Sequence, residues 1–266
     1  MNERITLGQY YETSSLLHRL DARAKIAATL LYMIALLLAP DLRCLLGCAG
    51  IFLFFLQVSR VPLPVFWRSM RLIMFFVAIT MLVNVFFTAG DVVWNWSFIK
   101  ITQQGIAKGL VMSLRILLLI GFSSLLTLTT KPLALTYGLE GLFKPLARLG
   151  LPVHELTMTM SLALRFIPVI MEELRRIMEA QRARGAEFSR GGPVKRARSL
   201  IPILVPLLVC SLRRADELGQ AMESKCYQTG RARTHWKPLL FTAKDAVYML
   251  FFLLLLVTML FLRIYL

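Results

Sequence analysis

Apolar residues run along this chain in long blocks broken by short polar punctuation. A helix that crosses a bilayer needs about 20 mostly apolar residues. Stretches near residues 25–39, 42–58, 72–89 and 109–130 approach that length, and a last one fills 245–266. Pro40-Asp41, Ser59-Arg60-Val61-Pro62, Gly90-Asp91 and Lys131-Pro132 separate them. The pattern predicts an all-α membrane protein with about five transmembrane helices, the first four forming a membrane domain over residues 1–130.

A different rhythm fills residues 131–244. Three helices are predicted there, near 133–149, 153–184 and 199–227. Gly150-Leu151-Pro152 ends the first. In the second, Met158, Leu162, Phe166, Ile170, Leu174 and Met178 recur every fourth residue and draw one apolar stripe. Glu172, Glu173, Arg175, Arg176, Glu179 and Arg182 take the other faces. Gly185 stops this helix and Gly191-Gly192-Pro193 breaks the chain. The third carries Leu204, Leu208, Leu212, Ala215 and Met222 on its stripe. Pro168, Pro202 and Pro206 should bend these helices. At about 30 residues each, the two long helices are ~45 Å rods. Three helices bury little core, so their stripes must pack on each other, on the membrane face or on partner proteins.

Composition and charge then sharpen the picture. The 266 residues are 57% hydrophobic and 17% charged, with a mean hydropathy of +0.65. Soluble domains sit near 45–50% apolar and about 25% charged. The formal charge is +16. In a membrane protein such an excess marks cytoplasmic loops, because Lys and Arg are retained on that side. Arg4, Arg19, Arg23 and Lys25 precede the first span, and Arg60, Arg68 and Arg71 follow the second. The opposite side offers Arg43, Lys100 and Lys108 beside Asp91. The bias puts the N-terminus in the cytoplasm and, after five spans, the C-terminus outside. Trp67, Trp94 and Trp96 sit in loops where interfacial anchors are expected. Residues 131–244 hold 19 Lys and Arg against 9 Asp and Glu, a net of +10. The interleaved acids argue against nucleic acid and against a helix pair lying on anionic lipid. The charged first 25 residues predict no cleavable signal peptide.

Catalytic chemistry is missing. There is no GxxxxGK[ST] phosphate loop, no HExxH and no GxSxG. His18, His154 and His235 lie in separate segments, and Cys44, Cys48, Cys210 and Cys226 form no CxxC pair. The chain is expected not to be an enzyme, and to hold neither metal nor cofactor. Arg115 is the one buried-looking charge within the spans. An intramembrane ion suggests function, but this one could also snorkel to the interface in a structural role.

Several segments resemble one family. Leu16-Leu17-His18-Arg19-Leu20-Asp21-Ala22-Arg23-Ala24-Lys25 resembles the amino-terminal signature of EcfT, the transmembrane component of energy-coupling factor importers. Ser161-Leu162-Ala163-Leu164-Arg165-Phe166-Ile167-Pro168 is similar to its second-coupling-helix signature. Ala180-Gln181-Arg182-Ala183-Arg184-Gly185 contains its Ala-Arg-Gly motif. Ser211-Leu212-Arg213-Arg214-Ala215-Asp216-Glu217-Leu218, with Ala221-Met222-Glu223, resembles the approach to a second such motif. Leu126-Thr127-Leu128-Thr129-Thr130 extends the likeness to the end of the fourth span.

The resemblance implies a subunit of a four-part importer in the plasma membrane of a prokaryote. Its partners would be two cytoplasmic ATP-binding subunits, which hold the ATP and Mg, and a substrate-binding membrane subunit for a vitamin or micronutrient. Residues 131–244 would be a cytoplasmic coupling domain. Carried over, Ala183, Arg184 and Gly185 match the first ATPase-docking motif. Ser224, Lys225 and Cys226 fall where the second would be, with Lys for Arg and Cys for Gly. Met158, Leu162, Leu204 and Leu208 become candidate contacts for the substrate-binding subunit. The residues alone leave rivals open: a stand-alone secondary transporter, or a membrane-anchored scaffold. They also allow Arg184 and Lys225 to be simple cationic caps at helix C-termini.

Overall fold

The computed structural model describes residues 10, 11, 13, 15–96, 99–145, 152–186, 192–228 and 241–265. Arg4, His235, Gly150, Leu151 and Gly191 lie outside the described residues, as do the side chains of Trp94 and Trp96. The elements run α1 Leu16–Arg19, α2 Ala22–Leu38, α3 Leu42–Ser59, α4 Leu63–Phe87, β1 Val92–Trp96, β2 Ile99–Thr102, α5 Gln103–Thr129, α6 Pro132–Phe143, α7 Val153–Ala183, α8 Pro193–Ser224 and α9 Ala243–Tyr265. The protein is an all-α membrane protein with one short antiparallel hairpin, in which Val92 pairs Thr102 and Trp96 pairs Ile99.

Among the described residues α3, α5, α7 and α9 are long and apolar enough to cross a membrane. The apolar segments Leu63–Arg71 and Ile73–Phe87 of α4, bent 56° from each other, can make a further span. The third predicted stretch therefore begins earlier than residue 72, at a helix opened by Pro62 and Pro64, whose fixed φ suits a first turn. α7 meets the membrane criterion through its N-terminal half, since Glu172, Glu173, Arg175 and Arg176 charge the rest.

The described residues fall into two compact units, Gly8–Leu142 with Leu239–Leu266 in one and Phe143–Pro238 in the other. The division lies at Phe143 rather than Lys131, because α6 packs on α2. A Cβ on Gly138 would stand 3.0 Å from the side chains of Ala22 and Ile26, so a larger residue would have to push the two helices slightly apart.

In the first unit the core gathers on Tyr32. Its ring stacks on Phe122 of α5 at 4.2 Å and meets Phe252 of α9 edge-on at 5.9 Å. Its hydroxyl donates to the Cys48 carbonyl of α3 at 3.0 Å, so one side chain ties four helices. In a bilayer, helices associate through close packing and such polar ties rather than by escaping water. Small residues do the same between α4 and α5, where a Cβ on Gly105 would lie 2.9 Å from the Asn84 carbonyl. The outer face of α4 stays exposed at Phe75, Phe76, Leu82 and Phe87, as a lipid-facing surface should.

Arg115 does not snorkel. Its guanidinium donates to the Ala39 carbonyl at 2.7 Å, where α2 ends and the orphan carbonyls favour a cation. Arg115 itself is half-buried, whereas Lys25, Asp21 and Asp245 are buried. The Lys25 ammonium donates to the Thr129 carbonyl and to Thr130 Oγ1, each at 3.2 Å. The two Asp245 oxygens accept the N–H groups of Asp21 and Thr242, both at 2.8 Å. This knot pins the starts of α2 and α9 to the end of α5. The predicted stretches 25–39 and 245–266 open on Lys25 and Asp245, but nothing local shows that the two come together.

In the other unit α7 and α8 pack on each other and continue through all three internal prolines. α8 begins at Pro193, well before the predicted Ser199: the Gly-Gly-Pro break is a helix start with proline in the first turn. Pro206 has no N–H, so it leaves the Pro202 carbonyl without its helical donor. Gln181 of α7 donates its Nε2 to that carbonyl at 3.4 Å, marking where the two helices meet.

Candidate functional site: the two coupling tips

The first candidate motif sits at the end of α7. Arg184 is the C-cap, and Gly185 follows at φ 85°, in the left-handed region. The Ala186 N–H bonds to the Gln181 carbonyl at 3.0 Å and the Gly185 N–H to the Arg182 carbonyl at 2.9 Å. Such paired 6→1 and 5→2 bonds form a Schellman closure, which glycine favours because it has no Cβ to clash.

The second motif repeats this geometry at the end of α8. Lys225 is the C-cap and Cys226 takes φ 55°. The Tyr227 N–H bonds to the Met222 carbonyl at 2.9 Å and the Cys226 N–H to the Glu223 carbonyl at 2.8 Å. Lys225-Cys226 thus stands where Arg184-Gly185 stands, position for position. Cysteine in the left-handed region costs roughly 1–2 kcal/mol that glycine would not.

Backbone N–H groups satisfy the Gln181 and Arg182 carbonyls of α7 and the Met222 and Glu223 carbonyls of α8, so the closure of each tip does not depend on its cationic side chain. Ala183, Arg184, Gly185, Ser224, Lys225 and Cys226 are all exposed. Among the described residues neither the Arg184 guanidinium nor the Lys225 ammonium has a hydrogen-bond or ion-pair partner. The Ser224 hydroxyl is turned inward, donating to the Gln220 carbonyl at 2.7 Å.

The two tips stand apart. Arg184 lies within a turn of the crossing at Gln181 and Pro202, whereas Lys225 lies about 35 Å further along α8 at the usual helical rise. The stripe candidates separate likewise. Leu204 and Leu208 adjoin the crossing and are 57% and 61% exposed, continuing into exposed Leu212. Met158 and Leu162 lie far up α7 and are half-buried. The four do not form one patch, because equal four-residue spacing on two helices says nothing about where the helices cross. The freed Pro202 carbonyl and its donor Gln181 were missed, although a proline four residues after Pro202 is visible in the sequence.

The cobalt transport protein family, CbiQ, matches residues 13–236 of this chain. Energy-coupling factor transporter transmembrane protein EcfT of Acidaminococcus fermentans is 44% identical over 259 residues, covering 97% of each chain. The protein of that name from Thermosediminibacter oceani is 46% identical over 91% of each chain, and that of Heliobacterium modesticaldum 45% over 92% of each. With likeness of this depth along nearly its whole length, the chain belongs to the EcfT family, the multi-pass transmembrane components of energy-coupling factor transporters.

Proposed function

We propose that this protein is the non-catalytic coupling subunit of an ATP-driven importer. It joins two cytoplasmic ATP-binding subunits, similar or identical, to a substrate-binding membrane subunit that takes up a vitamin or micronutrient. The observation that carries this reading is the pair of equivalent helix tips. Each presents one cation, without a partner among the described residues, beside a left-handed residue in a closure made by backbone N–H groups alone. Two like tips on one chain fit two like grooves, and tethered contacts gain by effective concentration. ATP and Mg belong to the partners. The exposed stripe of Leu204, Leu208 and Leu212 is the surface offered to the substrate-binding subunit.

The basic bias supports a cytoplasmic N-terminus, an external C-terminus and tips on the cytoplasmic side. In this reading α7, with its charged second half, belongs to the coupling region. A secondary transporter would need carboxylates free to cycle protons or ions. Both oxygens of Asp245 are instead held by backbone N–H groups.

Co-purification from native membranes tests the proposal. Two nucleotide-binding subunits should accompany the chain, and hydrolysis should require them. Turnover by the isolated chain, or recovery without any nucleotide-binding partner, would refute it. Cysteine labelling tests the orientation: positions 185–198 should react only from inside and positions 91–100 from outside.

A further inference from the structure

α1 packs against the end of α3 and brings Arg19 beside Arg60. The two arginines, with Ser15, Leu16 and Val58, line a cavity of about 370 Å³ that opens to the surface. Among the described residues no carboxylate lines it, and neither guanidinium has a hydrogen-bond or ion-pair partner. Arg60 holds φ 54°, a left-handed conformation uncommon for a residue other than glycine. Two cations on the wall of one cavity make it attractive to a ligand of opposite charge.

The ligand must be read from those two residues, because the remaining polar group is occupied. His18 Nε2 donates to the Tyr11 carbonyl at 3.0 Å, which leaves Nδ1 as an acceptor. The Ser15 hydroxyl lies 2.7 Å from that Nδ1 and donates to it. Two planar donor forks and no free hydroxyl suit the oxygens of a phosphate, which guanidinium grips bidentately.

The depth of the cavity selects the source of the phosphate. It lies where α3 ends and just before α4 begins, at the edge of two spans. In the first turns of α4, Leu63 and Trp67 are 67% and 61% exposed, the mark of an interfacial anchor. Leu16, 66% exposed, adds an apolar wall beside the arginines. An acyl chain can run along Leu16 and Leu63 while its headgroup meets Arg19 and Arg60; free phosphate has no use for that wall. We propose that this cavity binds the phosphate headgroup of an anionic phospholipid.

The test uses the full chain in detergent micelles doped with phosphatidylglycerol or phosphatidylcholine, with bound lipid counted by native mass spectrometry. The parent should retain phosphatidylglycerol in preference to phosphatidylcholine. Each neutralised arginine should lower that preference by roughly fivefold, and both together by about 25-fold. Arg19→Gln with Arg60→Asn is the neutral pair, since asparagine tolerates the left-handed backbone. Arg19→Lys with Arg60→Lys keeps the charge and should keep most of the preference, separating lost charge from lost fold. Equal occupancy in the parent and the neutral pair overturns the site, as does collapse of the lysine pair to the neutral level. Displacement of the lipid by inorganic phosphate or glycerol phosphate at matching concentration overturns the lipid as its ligand.

Discussion

Replacing Arg184 by alanine separates docking from capping. Each tip closes its last carbonyls with two backbone hydrogen bonds that do not involve the cationic side chain. What Arg184 contributes to α7 itself is then only its attraction to the helix dipole, about 0.3–1 kcal/mol and less in salt, since the residue is exposed. In an ATPase groove the guanidinium would be desolvated and paired with an acid. Removing one member of such a pair costs about 2–5 kcal/mol, or roughly 30- to 5000-fold in affinity. The expected outcome for Arg184→Ala is unchanged helix content with a large loss of ATP-binding subunits on purification. Arg184→Glu should lose more, because it sets like charges together. Lys225→Ala should lose less, since an ammonium makes fewer fixed hydrogen bonds than the planar fork. The double alanine variant should lose most, because either tip alone still tethers the complex. The assay is retention of ATP-binding subunits on the tagged chain, read beside transport-coupled hydrolysis. If the double variant keeps both at parental levels, the tips are not docking elements.

Three further outcomes are expected. A glutamate at Leu208, which is exposed on α8, should release the substrate-binding subunit while leaving the ATP-binding subunits attached; full occupancy in a pull-down would assign the stripe elsewhere. Lys25→Met leaves the buried Thr129 carbonyl and Thr130 hydroxyl without their donor and removes the cation near Asp21 and Asp245, and should cost about 1–3 kcal/mol. A melting temperature unchanged in detergent would count against the knot, whereas partial rescue by adding Asp245→Asn would support it. Cys226→Gly should stabilise the end of α8 by about 0.5–1 kcal/mol, seen as slower local amide exchange, because it relieves a left-handed cysteine.

Much of this molecule is written in local pattern. Apolar length and proline punctuation located the helices, because each span meets lipid one segment at a time and hydropathy measures that meeting directly. Gly185 after a run of helix-forming residues announced the end of α7, since a left-handed C′ residue is a local requirement. The short motifs around Arg184 and Lys225 marked both tips for the same reason. What only the tertiary structure decided concerns residues far apart in the chain. Asp21, Lys25 and Asp245 form a buried knot because the starts of α2 and α9 meet the end of α5. Arg115 looked free to snorkel until the end of α2 arrived beside it. The stripes of α7 and α8 could be drawn from spacing, but Gln181 and the carbonyl freed by Pro206 set where the helices cross. That crossing parts Met158 and Leu162 from Leu204 and Leu208. Arg19 and Arg60, 41 residues apart, face one cavity only because α1 folds back onto the end of α3. Helix periodicity reports which face of a segment is apolar; which ends meet depends on interhelical packing, which no single segment contains.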